Sequence, residues 1–96
     1  MSASAPLPAR VRFVESVRPR FGPERGFLFD QRSGRVFSLN GTGAFAAARF
    51  HDQQPVADVL AAMVEAFEVD EPVARRALIA FVDQLRREGV AEVVDG

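Results

Sequence analysis

GRVFSLNGTGAFAAARF, residues 34–50, contains the change of pattern that decides the fold. Arg35 to Leu39 reads as a short strand with Val36 and Ser38 on one face and Arg35, Phe37 and Leu39 on the other. At Asn40 the period changes from 2 to 3.6, and the alanine-rich run that follows reads as a helix over about Gly41 to Phe50. Asn40 sits where a side-chain oxygen accepts a bond from an amide of the first helical turn.

Upstream, Gly26 to Asp30 is aromatic-rich, and Gln31-Arg32-Ser33-Gly34 is a polar connection ending in glycine, so the two strands form a hairpin. Val11 to Ser16 alternates and is read as a first strand, with Pro19, Gly22 and Pro23 punctuating a loop behind it. Met1 to Pro8 holds small residues and two prolines, so residues 1–9 are expected to be disordered and residues 10–96 to form one domain.

Downstream, His51 to Gln54 is a polar connection, and Pro55 suits the first turn of a second helix. There Val56, Val59, Leu60, Met63, Val64 and Phe67 form an apolar stripe. Asp70 is placed to cap a third helix running to about Glu88, Gly89 fits a left-handed terminating position, and Val90 to Val94 reads as a final strand or extended tail. The expected class is α+β: a winged helix-turn-helix-like fold with a three-stranded antiparallel sheet followed by a three-helix bundle.

The chain has 96 residues, 48% of them apolar, with nine Phe and no Trp, Tyr or Cys. That is enough for one core, and the absence of cysteine excludes disulfides and thiolate chemistry and fits a reducing cytoplasm. No run approaches the ~18 apolar residues of a membrane span, so no membrane partner is expected. The net charge of −1 conceals an asymmetry, +4 over residues 1–39 and −5 over residues 40–96.

A catalytic reading finds no support. His51 is the one histidine, without a second His or a Cys to complete a metal set or nucleophile pair. Asp70 and Glu71 lie at a helix start, where negative charge favours the dipole. Gly41 and Gly43 make a permissive turn rather than a phosphate loop. No catalytic residue, metal or cofactor is therefore expected. A winged-helix DNA-binding or regulatory module is the rival reading, but the acidic helical half opposes a polyanion, so no nucleic-acid partner is expected.

GRVFSLNGTGAFAAARFHD (34–52), PVADVLAAMVEAFEVDEPV (55–73) and ALIAFVDQLRREGV (77–90) together resemble the PqqD family of peptide chaperones, the RiPP recognition elements that bind the leader of a ribosomally made precursor. The matching positions are Leu39-Asn40, Asp52, Val56 to Phe67, Phe81 to Leu85 and Gly89-Val90, and the likeness spans about residues 11–94. Gln53 stands where the family has glycine, Phe37 and Ser38 where polar or aromatic residues are common, and Ala77 where an acid is common.

The resemblance implies a non-catalytic chaperone that takes the leader as an extra strand on the edge of Arg35, Val36, Phe37, Ser38 and Leu39 and presents the precursor to a modifying enzyme, a radical SAM or a cyclisation enzyme. Backbone pairing would then supply affinity and pockets selectivity. On the third helix, Ala74, Leu78, Phe81, Val82 and Leu85 form the expected core stripe. Val73, Arg76, Ala77, Ala80 and Gln84 form a neighbouring stripe suited to a groove, with the flank of Arg75 and Ile79 as the alternative. Arg32, Arg35 and Arg76 would favour an acidic guest. Pairing of the same edge with a second copy, giving a homodimer, is a further alternative.

Overall fold

The structure, a computed structural model, describes residues 7–94. Strands β1 (Arg10–Phe13), β2 (Val17–Phe21), β3 (Arg25–Asp30) and β4 (Arg35–Asn40) precede helices α1 (Gly41–His51), α2 (Val56–Phe67) and α3 (Glu71–Arg87), and β5 (Ala91–Val94) closes the described chain. The class is α+β, as expected, but the strands are organised differently. β2, β3 and β4 form a three-stranded antiparallel sheet in that order, whereas β1 leaves it to pair antiparallel with β5. Of the segment expected to be disordered, residues 1–6 lie outside the described residues; Leu7 packs on the core and the Ala9 carbonyl accepts the Val56 amide at 2.9 Å.

Two strand assignments are corrected. The first strand stops at Phe13 rather than Ser16, and the segment read as a loop around Pro19 is β2. Proline forfeits a ladder donor and is tolerated in a strand only where its nitrogen faces away from the neighbour, which an edge strand permits. β2 is such an edge, so the proline marks a blunted border rather than a break. The final strand or extended tail expected at Val90 to Val94 is a strand, β5, from Ala91, registered Val11 to Val93 and Phe13 to Ala91.

Local chemistry explains the joints. Asn40 does not cap α1 with its side chain; it is still extended, at φ −147° and ψ 170°, and pairs with Arg25 as the last strand residue. The turn into the helix is made by Gly41 at φ +54°, a left-handed conformation that costs other L-residues about 1–2 kcal/mol. Asp70 likewise holds the N-cap position of α3 without a side-chain bond, and Gly89 ends the helix at φ +75° as expected.

The core lies between the sheets and the helices. Phe50, Leu28, Leu78, Val11, Val56, Val59 and Val90 are its largest fully buried side chains. β3 alternates strictly, with Gly26, Leu28 and Asp30 turned in and Arg25, Phe27 and Phe29 turned out. α2 buries Val56, Val59, Leu60 and Met63, and α3 buries Ala74, Leu78, Val82 and Leu85, each from one stripe. His51 closes α1 with its ring 5.9 Å from that of Phe21.

Beyond α1, Gln53 sits at φ +67°, where a side chain is disfavoured. This is the position at which the resembling family carries glycine. Gln53→Gly is expected to stabilise the fold by about 0.5–1 kcal/mol, read as a higher denaturant midpoint with unchanged slope.

Candidate functional site

β4 pairs with β3 on one side, Phe37 opposite Leu28 and Leu39 opposite Gly26, and no described strand pairs with it on the other. Its outer row of main-chain donors and acceptors borders a groove of about 400 Å3 lined by Val36, Phe37, Ser38, Leu39, Asn40, Gly43, Phe81, Gln84, Leu85 and Glu88. The floor is apolar because Phe37, Leu39 and Phe81 are half-buried and pack onto the core. Phe81 stacks on Phe50 with centroids 6.4 Å apart and planes 15° from parallel. Opposite it α1 carries Gly43, and a Cβ there would lie 3.4 Å from the Phe81 ring, so any longer side chain would fill the groove.

One rim is electrostatic. The Arg35 guanidinium donates to Glu88 Oε1 at 2.7 Å and lies 4.7 Å from the centroid of the Phe37 ring. The pair ties the start of β4 to the end of α3, and as an exposed pair it contributes at most ~1 kcal/mol. It also neutralises one of the cations expected to attract an acidic guest.

The hairpin turn that aims β4 is held by Asp30. Its Oδ1 accepts from the Ser16 hydroxyl at 2.8 Å and the Arg32 amide at 3.1 Å, and Oδ2 accepts from the Ser33 hydroxyl at 2.9 Å. The hydroxyl bonds from Ser16 and Ser33, with help from the Arg32 amide and charge, hold this carboxyl below its ordinary value despite the opposing effect of burial.

Of the residues expected in the site, Val36, Phe37, Ser38 and Leu39 line the groove together, and Arg35 stands at its end. Val73, Arg76, Ala77 and Ala80 are exposed on α3 but do not line it. They continue the row of Gln84 and Glu88 toward the helix N-terminus, since 73, 77, 80, 84 and 88 recur at three- and four-residue steps. The alternative flank of Arg75 and Ile79 is half-buried and lines another part of the surface, Arg75 donating to Glu71 at 2.7 Å. Asn40, Gly43 and Glu88 also line the groove, outside the stripes the sequence offers, and Phe81 and Leu85 of the core stripe line it as well. An aromatic residue between the buried and small-residue stripes of α3 was the available signal for Phe81.

A second depression of about 360 Å3, lined by Phe21, Pro23, Glu24, Phe45, Arg49 and Phe67 among others, lies between the β2–β3 turn, α1 and the end of α2. It borders β2 only at its end, and Pro19 has removed a donor from that strand's free edge. A third depression, of about 320 Å3, lies beside the free edge of β2 and is lined by Phe13, Val14, Val17, Arg18, Pro19 and Phe50 among others, but Pro19 interrupts the donors of that edge, whereas those of β4 are uninterrupted.

The profile of one protein family, Coenzyme PQQ synthesis protein D (PqqD), matches residues 25–91. The chain belongs to the PqqD family. Two solved structures share the fold. One, described as lasso peptide synthetase B1 complexed with the leader peptide, superposes with a TM-score of 0.78 at 30% identity, over 88% of this chain and 99% of that one. The other, TbiB1 in complex with the TbiA(beta) leader peptide, has a TM-score of 0.79 at 18% identity, over 84% of this chain and 94% of that one. Among curated proteins none matches this chain. No described helix is long and apolar enough to cross a membrane.

The Asp30 network generates a pH prediction. A carboxyl whose folded pKa lies below its unfolded value stabilises fully above the unfolded value, and that stability is lost as pH falls through the folded one. Asp30→Asn is expected to melt lower than the parent at pH 7, with the gap closing as pH drops from about 5 toward 2. Melting curves across that range test this, and a gap independent of pH would remove the carboxylate from the turn.

Proposed function

We propose that the chain is a non-catalytic, cytoplasmic leader-peptide-binding chaperone that captures a precursor peptide on the free edge of β4 and presents it to a modifying enzyme. The vacant edge beside an apolar groove carries this reading, in a chain of the PqqD family with a 30% identical relative solved with a leader peptide. An extended segment laid along Arg35 to Leu39 satisfies the edge donors and acceptors, and alternate side chains point toward Phe81, Gly43 and Gln84. A longer leader would continue over the exposed row of Ala80, Ala77, Arg76 and Val73. The recipient on this reading is a radical SAM or a cyclisation enzyme.

β4 offers no proline, unlike β2, so its edge keeps every donor. In an antiparallel pair successive amides point alternately to the neighbour and away from it. Of the adjacent substitutions Val36→Pro and Phe37→Pro, one removes a bond to β3 and the other removes only an outward donor. The expected result, by titration with the precursor encoded beside this chain, is that one variant stays folded and loses at least tenfold in affinity. If both variants fold and bind as the parent does, strand addition is wrong. Gln84→Trp, a change at an exposed position, is expected to fill the groove and weaken binding by tenfold or more with an unchanged melting temperature. A double-stranded DNA ligand, by contrast, would show affinity falling steeply with salt.

A further inference from the structure

The groove does not explain the opposite face of the same sheet. Phe27, Phe29 and Val36 are 41%, 40% and 61% exposed, and with Val73 they are the exposed large apolar residues of the described chain. The register gathers these three: Phe29 lies between Val36 and Arg18, and Phe27 between Ser38 and Arg20. Arg25, opposite Asn40, completes the outward positions of β3. No outward position of the three strands holds a carboxylate, because Asp30 points inward. The ion pairs of the described residues are Arg12–Glu92, Arg35–Glu88 and Arg75–Glu71, so Arg18, Arg20 and Arg25 belong to none. Arg18 instead donates to the carbonyls of Glu15 and Val17.

Two aromatic rings and a valine left in water, rimmed by unpaired guanidinium groups, complement an apolar surface bordered by carboxylates. A second copy fits poorly, since it would set arginine against arginine. A nucleic-acid strand would find two rings at most, since Val36 offers no stacking surface. The area also matters. Six residues by three strands present a flat face of roughly 300 Å2, well below the ~800 Å2 per partner of a stable interface. A peptide added to β4 widens that same face by one strand and projects its own alternate side chains onto it.

We propose that the outward face of the β2–β3–β4 sheet, centred on Phe27, Phe29 and Val36 and rimmed by Arg18, Arg20 and Arg25, docks the precursor-modifying enzyme through an acidic-rimmed apolar patch, with the bound leader as a fourth strand of the docked surface. This rests on the peptide-binding reading above and names the surface that hands the peptide on. Neither Phe27 nor Phe29 lines the groove, whereas Val36 belongs to both surfaces and joins capture to hand-over.

The test uses the full chain, the precursor encoded beside it and each peptidase, cyclase or radical enzyme encoded beside both, purified singly. Phe27→Ser with Phe29→Ser, and separately Arg18→Glu with Arg20→Glu, should leave precursor affinity within about twofold. Both should weaken the enzyme's affinity for the precursor-loaded chain by at least tenfold, and the parent should bind the enzyme more tightly loaded than empty. Undiminished enzyme binding by the phenylalanine variant overturns the proposal, as does absence of any enzyme bound by the loaded parent. A parent dimer dissolved by these substitutions would assign the face to a second copy instead, and tight binding of a twenty-nucleotide dT strand lost in the same variants would assign it to nucleic acid; either refutes enzyme docking. If the parent fails to bind precursor at all, both readings fall, whereas normal precursor binding with unaffected docking sinks this one alone.

Discussion

The arrangement depends on where β1 goes. By pairing with β5 it removes both ends of the domain from the main sheet, and β4 is left as a border. That closure spans about 80 residues and costs roughly 4 kcal/mol of chain entropy. Full burial of Val11 and Val90 returns about 1.5–3 kcal/mol each. The two terms nearly cancel, so the exposed Arg12–Glu92 pair across the ladder and the Val14 amide bonded to the Val90 carbonyl at 3.0 Å act on a balance that small contributions shift. An open edge is thus maintained by contacts on the far side of the molecule.

An open edge is also a hazard, since it pairs with any extended chain. The two borders of this sheet handle that differently. β2 carries Pro19 flanked by Arg18 and Arg20, a donor gap between two charges. β4 has neither proline nor a charge at its centre, and its protection is positional: α3 and the Arg35–Glu88 bond stand over it and restrict what can lie alongside. Asp30 fixes the angle at which β4 leaves the turn, so that the lane and the floor beside it stay in register.

Much of this was legible in residues 26–94. The hairpin, the switch at Asn40, three helices and the left-handed Gly89 follow from periodicity and turn chemistry, which are local properties. The errors were not local. Pro19 looks like a break unless one knows that its strand is a border, and border status depends on β1 pairing with a strand some 80 residues away. Asn40 had the right type for a cap, but strand pairing with Arg25 and the left-handed Gly41 set the backbone there. On α3 the stripe expected in the core is buried at Ala74, Leu78, Val82 and Leu85 and half-buried at Phe81. Which turns of the small-residue stripe face β4 depends on how the helix crosses the sheet, a tertiary quantity, and so Gln84 and Glu88 line the groove while Val73 and Arg76 lie beyond it.

The expected division of labour, with main chain for affinity and pockets for selectivity, leaves the main chain a narrow margin. Ordering a six-residue extended segment costs about 1–2 kcal/mol per residue, or roughly 6–12 kcal/mol. Some six main-chain bonds along β4 return about 0.5–1.5 kcal/mol each, or roughly 3–9 kcal/mol. Pairing alone therefore ranges from a net gain of about 3 kcal/mol to a net cost of about 9 kcal/mol, so an arbitrary extended peptide gains little from this edge. Apolar side chains entering the groove over Phe37, Leu39 and Phe81 would add about 25 cal/mol for each Å2 they bury. On the proposed mode the strand edge would set direction and register, and the groove would add affinity and the choice of guest. A small floor open at Gly43 and closed at the Arg35–Glu88 rim can then be selective without any charged contact at its centre.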